Sequence, residues 1–413
     1  MNSDLIAALP EVRPVVDEVL AAIHATPELA YEELRTAELL VERLENLGAR
    51  VDRSVAGLPS CFRAEIGSDH GPAVGVVLPL DAVPLHVEEQ GNDGFNAIRP
   101  VHACGHSVIA AAVVGAAQLL TVSPELLRGR LVVMGIPGDE IHAPVVRTRG
   151  GGKAVTADAG VWDDLDAILY AHPEFLDTVW LSSRWMSRRR IRLHGPRVFS
   201  ADRHDIVAAF AGMLQNCRTL VNRYGAEWVV IETASFEGDV EDGSPCGAEL
   251  SVLIFGRDED ELQERLDELN GLIGEACAGS GLSPNIEGHP EGHPSLRRGT
   301  RPVYQGILAN SVLVSAIAAV FGDSYVPASM QLPFATDFGN LSRRAPSALI
   351  GIGRPGGWRF HTEAGADEFA SQDGRDVAAR LAQVLALTIS KLTSDQDLLA
   401  RARAEFEARR AKL

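Results

Sequence analysis

The sequence predicts an α/β protein carrying a second, smaller α+β unit, and three observations lead there. At 413 residues the chain exceeds the size at which one hydrophobic core usually stops growing. Short apolar runs alternate with helical stretches through its first part, and the pattern changes character after Trp185. Apolar residues make up 46% and charged residues 23%, without a low-complexity tract, so the chain can bury a large core.

The first clear element is the stretch from Thr26 to Gly48, where Leu39, Leu40, Leu44 and Leu47 recur at helical spacing and Gly48 supplies a stop. Apolar runs follow at 74–80 (VGVVLPL), 131–137 (LVVMGIP) and 167–172 (AILYAH), with a small-residue helix, HSVIAAAVVGAAQLL, starting at His106. This is a β/α alternation with strands buried on both faces. Beyond Trp185 the order is strand (IRLHG), Ala-rich helix to about Tyr224, strands WVVIETASFEG and AELSVLIFG, then the helix DEDELQERLDELNGLIGEACAGSG. That order suits an independent α+β domain. The segment IEGHPEGHPSLRRGTRP, rich in Pro, Gly and His, reads as the linker out of it. The expected division is 1–185 with 300–413 as one discontinuous domain and 186–299 as the other. The tail SDQDLLARARAEFEARRAKL is a charged helix.

A formal net charge of -18 argues against nucleic acid or an anionic membrane surface as a partner, because both need clustered positive charge. The local exception, Arg184, Arg188, Arg189, Arg190 and Arg192, reads as a solvated strand edge. The N-terminus has acids and prolines among its apolar residues and no cationic start, so it is not a secretory signal, and no apolar run approaches a membrane span. Five scattered cysteines are unlike a disulfide framework and fit a reducing, cytoplasmic compartment.

The chemistry concentrates at loop and strand ends. Cys104 and His106 stand two residues apart where a loop enters an apolar helix, so both side chains can reach one ion, although a buried Cys also serves as a small hydrophobe. Asp139 and Glu140 follow one predicted strand, His172 ends another, and His361 follows a glycine-rich turn, which are the places where α/β sheets gather ligands. Asp81, after VGVVLPL, suits a carboxylate that fixes a histidine tautomer. Adjacent carboxylates at a strand end point in different directions, so one can hold metal while its neighbour handles protons. GGGK at 150–153 lacks the spacing of a phosphate-binding loop and reads as a flexible turn.

At these residues the chain resembles the di-metal amidohydrolases of peptidase family M-20, which include aminoacylases, hippurate hydrolases, aminobenzoyl-glutamate hydrolases and Xaa-Arg dipeptidases. HATPELAYEE, LPLDAVP, HACGHS, GIPGDE, GGGK followed by AG and AHP, ATDFGNLS and FHTEAG occur in the family's order. The resemblance implies a catalytic domain with a mixed sheet flanked by helices, interrupted by a ferredoxin-like lid that pairs two chains as a homodimer. It also implies two divalent ions per chain, chosen among zinc, manganese, cobalt and nickel. Cys104 would bridge them, His106 and His172 would complete one site, Glu140 and His361 the other, and Asp139 would be the general base.

The departures bear on substrate. The family has Glu-Glu where this chain has Asp139-Glu140, and Asp or Asn where it has Ser107. The lid histidine of many relatives is replaced by Phe199, with His204 nearby as a substitute, and an asparagine that helps hold a substrate carboxylate is replaced by Asp242. IHAPVVRTR, at 141–149, is an extra segment beside Glu140. Asp337, in ATDFGNLS, together with Trp358 and Arg359 before His361, completes the set of residues expected to meet substrate, with Trp358 and Phe360 as an aromatic wall. The expected activity is hydrolysis of an amide or N-acyl bond in a small molecule. The alternatives are hydrolytic removal of an amine from an aromatic ring, and a relative that binds a small molecule without turning it over.

Overall fold

The structure is a computed structural model describing residues 3–88, 96–195, 206–237, 246–278, 280–287 and 303–411. It divides into two compact units, one of Met1–Ser182, Ile307–Leu332 and Asp337–Leu413, the other of Ser183–Gly306 and Pro333–Thr336.

The first unit is built on a seven-stranded mixed sheet. Across it the strands run Arg50–Arg53, Phe62–Gly67, Arg130–Ile136, Ala73–Pro79, Ala167–Glu174, Ser347–Gly353 and Thr178–Trp180. The four from Arg130–Ile136 to Ser347–Gly353 are mutually parallel, and antiparallel strands flank them. Each parallel strand is an almost unbroken apolar run, because helices cover both faces of such a sheet. The helix His106–Val122 is buried nearly all round, and its small residues let the helices Ser3–His24 and Gln372–Ser394 pack closely against it. The helix expected within 26–48 spans Leu34–Asn46, buries Leu40, Val41 and Leu44, and stops at Gly48 with φ +85°. A two-stranded ribbon, Val83–Glu88 with Asn96–Val101, stands apart from the main sheet.

The second unit follows the order strand, helix, strand, strand, helix, strand of ferredoxin-like folds. Its antiparallel sheet runs Val229–Glu237, Cys246–Gly256, Ser183–Gly195, Asn285–Glu287, and the helices Ile206–Tyr224 and Glu259–Cys277 pack with it around Ile191, Leu193, Leu250, Val252, Met213 and Leu269. The arginine-rich strand is not a solvated edge. Ser183–Gly195 lies inside the sheet, Arg188 and Arg189 are buried, Arg188 pairs with Glu232 at 2.6 Å, and Arg190 and Arg192 both pair with Glu249. Carboxylates thus commit Arg188, Arg190 and Arg192 to the fold, while the buried Arg189 donates to the Ser187 hydroxyl at 2.7 Å. Phe199, His204, Asp242 and most of the predicted linker lie outside the described residues.

Candidate metal centre

Parallel strands place their C-terminal ends along one edge of the sheet, and this chain sets its candidate groups there. Asp81 lies just past Ala73–Pro79, Asp139 and Glu140 past Arg130–Ile136, His172 within Ala167–Glu174, and His361 in the loop after Ser347–Gly353. Cys104 and His106 arrive from the loop into the helix His106–Val122, flanking Gly105 at φ +94°. His361 itself adopts φ +57°, an uncommon conformation for a side-chain-bearing residue, and its backbone N–H donates to the carbonyl of Ala103 at 2.8 Å. The two loops are thus tied beside the centre.

Two overlapping donor sets result. The donor atoms of Cys104, His106 and His172 lie within 4.8 Å of one another, and so do those of Cys104, Glu140 and His361. Cys104 belongs to both, with its Sγ 3.6 Å from His172 Nε2. Thiolate, imidazole and carboxylate suit divalent transition ions. Among the described residues, the buried atoms His106 Nε2 and Glu140 Oε1 have no partner of hydrogen-bond geometry, which is a costly arrangement unless an ion engages them. The residues present fit two ions.

The surrounding groups hold the donors in place. His106 Nδ1 is 2.6 Å from the carbonyl of Asp81 and 3.5 Å from its Oδ1, while Asp81 Oδ2 accepts from the Glu140 N–H at 2.8 Å. His172 Nδ1 is 2.7 Å from the carbonyl of Pro173. A proton on each Nδ1 leaves Nε2 as the donor to an ion. Burial opposes ionisation of the Cys104 thiol, but His106 and His361 outweigh it and hold the thiol well below its usual range. Burial also works against a proton on His172, yet Cys104 and Glu174 raise it to about 9. Burial and then the Cys104 charge push Glu140 well above the carboxylate range. His172 and Glu140 thus hold protons that an incoming ion displaces, so metal affinity rises with pH.

Asp139 lies beside this centre with Oδ2 3.2 Å from His106 Nε2 and 3.2 Å from the Tyr170 hydroxyl, which donates to it. Its Oδ1 is in direct contact with Nζ of Lys153. Lys153 belongs to GGGK, whose reading as a flexible turn fails: Gly152–Asp158 is a short helix and the Lys153 side chain is fully buried. Asp337 is buried too, with Oδ1 2.9 Å from Lys153 Nζ and Oδ2 accepting from the Ala154 N–H at 3.1 Å. Asp337 therefore faces the lysine.

Trp358 does not form a wall of the site. Only 6% exposed, it stacks on Phe369 at 4.5 Å under the guanidinium of Arg354. Arg359 is exposed and pairs with Glu368 at 2.5 Å. Phe360 is the residue of that run beside the centre, stacked on His172 at 5.7 Å. In the segment 141–149, Ala143 and Val146 pack with Ala30, and Arg149 lies over the Tyr31 ring at 5.3 Å. Three further residues at the site went unnoticed in the sequence: Lys153, Tyr170 and the buried Glu33, which accepts from the N–H groups of Tyr31 and Gly138 and from the Ser60 hydroxyl. A lysine after three glycines beside predicted carboxylates was the available signal.

The family model of peptidase family M20/M25/M40 matches residues 80–391. Thermostable carboxypeptidase 1 of Saccharolobus solfataricus is 25% identical over 315 residues, covering 71% of this chain and 77% of its own length. The Xaa-Arg dipeptidase of Mus musculus is 26% identical over 413 residues, covering 94% of this chain and 88% of its own. Among solved structures, a dinuclear metal binding peptidase of the M20 family from Bacillus subtilis superposes with a TM-score of 0.65 at 19% identity, over 93% of this chain and 99% of that one.

Proposed function

The chain belongs to peptidase family M20/M25/M40, a family of metal-dependent amidohydrolases and peptidases, and from that premise we propose that it hydrolyses an amide or N-acyl bond of a small molecule with two bound ions and a carboxylate base. The observation that carries the reading is the pair of donor sets sharing Cys104, with a separate carboxylate, Asp139, beside them. Cys104, His106 and His172 would hold one ion, and Cys104, Glu140 and His361 the other. When bound, such ions acidify water toward a pKa of roughly 7 and polarise a carbonyl. Asp139 takes the proton of the attacking water at Oδ2 and delivers it to the departing nitrogen, turning an amide anion into a neutral amine. Asp81 keeps the His106 ring in register, and the buried faces of Tyr170 and Phe338, 5.5 Å apart, exclude water behind the base. The relatives' names, a carboxypeptidase and a dipeptidase, describe cleavage of carbon–nitrogen bonds and support this choice.

Removal of an amine from an aromatic ring drew on Phe199 and Trp358 as flat surfaces. With Trp358 stacked into the core, that reading keeps one support of two. The test is a screen of the metal-reconstituted protein against N-acyl amino acids, dipeptides and aryl amines, with products identified. An acid plus an amine is expected. Ammonia plus a phenol from an aryl amine selects the alternative, and no turnover of any class with both ions bound selects a non-catalytic binding protein.

A further inference from the structure

A fully buried ammonium is stable only when carboxylates neutralise it, so the surroundings of Lys153 describe what it does. Asp337 is the fixed partner. One of its oxygens is 2.9 Å from Nζ and the other accepts from the Ala154 N–H, so it grips the same short helix that carries the lysine. The second contact of Nζ is Oδ1 of Asp139. The ammonium also lies 5.1 Å from the centroid of the Tyr170 ring, whose hydroxyl donates to the other Asp139 oxygen. Asp139 is therefore held from two sides by groups that are themselves buried.

The position of that second oxygen gives the arrangement its meaning. Two ligands bonded at about 2.1 Å to one ion stand roughly 3.0–3.4 Å apart. Asp139 Oδ2 is 3.2 Å from His106 Nε2, within that range, yet among the described residues it belongs to neither donor set, so only a small swing separates the carboxylate from becoming a ligand. A ligating carboxylate would no longer be free to accept a proton. The backbone around Asp139 is tied, with the Gly138 N–H on Glu33 at 2.9 Å, the Gly138 carbonyl accepting from the Gly152 N–H and the Glu140 N–H on Asp81, so what remains free is the Asp139 side chain, and side-chain contacts must restrain it.

We propose that Lys153 is a positioning residue: anchored by Asp337, it ties Oδ1 of Asp139, keeping the carboxylate outside the ions' ligand shell with Oδ2 left to accept a proton. The inference rests on Asp139 being the base, and it accounts for a base that is one methylene shorter than the family's glutamate. The shorter side chain spans from the strand end to the lysine, and the ammonium prevents it from collapsing onto the ions.

The test is a double-mutant cycle of Lys153→Met and Asp139→Asn on the full chain, loaded with cobalt and read in two ways. One readout is kcat and KM on N-acetyl-methionine or N-benzoyl-glycine, whichever the native protein cleaves. The other is the visible absorption of the bound cobalt, which responds to coordination number without any substrate. Lys153→Met is expected to keep its two ions, lose about a hundredfold in kcat with little change in KM, and shift and weaken the cobalt bands. In the Asp139→Asn background the same substitution should cost less than about threefold and leave the bands unchanged. Equal losses in both backgrounds would mark a purely structural lysine and overturn the proposal, as would unchanged kcat and bands in Lys153→Met. If Asp139→Asn alone retains full turnover, the reading of Asp139 as base fails, and the cobalt bands by themselves decide whether Lys153 restrains that carboxylate. Should Lys153→Met not fold, Asp337→Asn loosens the anchor while keeping the ammonium: about a tenfold loss in kcat with the same band shift is expected, and no change in either overturns the claim.

Discussion

Asp139 places its oxygens about 1.5 Å nearer the backbone than a glutamate would, a distance close to one carbon–carbon bond. Asp139→Asn is expected to keep metal content while lowering kcat by roughly a hundredfold or more, the usual contribution of a general base. Asp139→Glu should also lose activity, because Lys153 and Tyr170 already occupy the space around both oxygens. Steady-state kinetics beside metal analysis separates these outcomes, and full activity in Asp139→Asn would move the proton transfer to another group. Glu33 offers a second test at a single residue. Burial, and next the charge of Asp81, raise its carboxyl from 4.5 to about 8. The folded chain holds a proton there that the unfolded chain releases above 4.5, so this contribution to stability is complete below that pH and drains away as pH climbs through 8. Glu33→Gln keeps an oxygen for the Tyr31 and Gly138 N–H groups, and its amide N–H meets the Ser60 hydroxyl, which turns from donor to acceptor. The variant should therefore show a flatter dependence of denaturant midpoint on pH between about 5 and 8 than the native protein. Equal slopes would mean that Glu33 is ionised in the fold.

At the scale of elements, the loop that turns into the helix His106–Val122 carries the centre. Gly105 sits at φ +94°, and a Cβ there would come within 2.8 Å of the Pro173 ring and 3.1 Å of the Phe369 ring. Those rings adjoin the strand end of His172 and the core that seats Trp358, so nothing nearby can yield cheaply. Gly105→Ala is expected to cost about 1–2 kcal/mol from backbone conformation alone, and to weaken metal binding because Cys104 and His106 flank the strained position. Thermal unfolding of the metal-free and metal-loaded forms checks both, and an unchanged ion affinity would show that the loop adapts. The strand ends behave differently. The Asp81 and Glu140 segments are cross-linked by a backbone-to-carboxylate hydrogen bond, so the two strands set the spacing of the carboxylates. Asp81→Asn keeps the oxygen that accepts from Glu140 but removes the charge facing His106, so it probes the charge more than the spacing.

At the scale of the whole molecule, the two proposed ions, binding the folded chain alone, would add stability by mass action, about 2.7 kcal/mol per site at a hundredfold excess over Kd. Chelation should lower the unfolding temperature, reconstitution should restore close to two ions per chain, and Cys104→Ala should reduce metal content most because that thiol belongs to both donor sets. Calorimetry with metal analysis reads this directly. An unfolding temperature indifferent to chelation would count against a two-ion centre. The sequence by itself determined the class of fold, since apolar runs too continuous for one-sided strands imply a parallel sheet covered on both faces, as Ala73–Pro79 and Ala167–Glu174 are. It also marked Cys104, His106, Glu140, His172 and His361 as candidates, because loop entries and strand ends are local signals. The tertiary structure alone decided which side chains share an environment. Lys153 looked like part of a flexible turn until Asp337, far away in the chain, and Asp139 closed around it. Trp358 was as plausible at a pocket as in the core until Phe369 and Arg354 took its two faces. The arginine strand read as solvated because the carboxylates of Glu232 and Glu249 come from two other strands of the sheet. In each case local pattern reports how a segment repeats, whereas burial of a charge or a ring depends on partners that only the folded chain brings within a few ångströms.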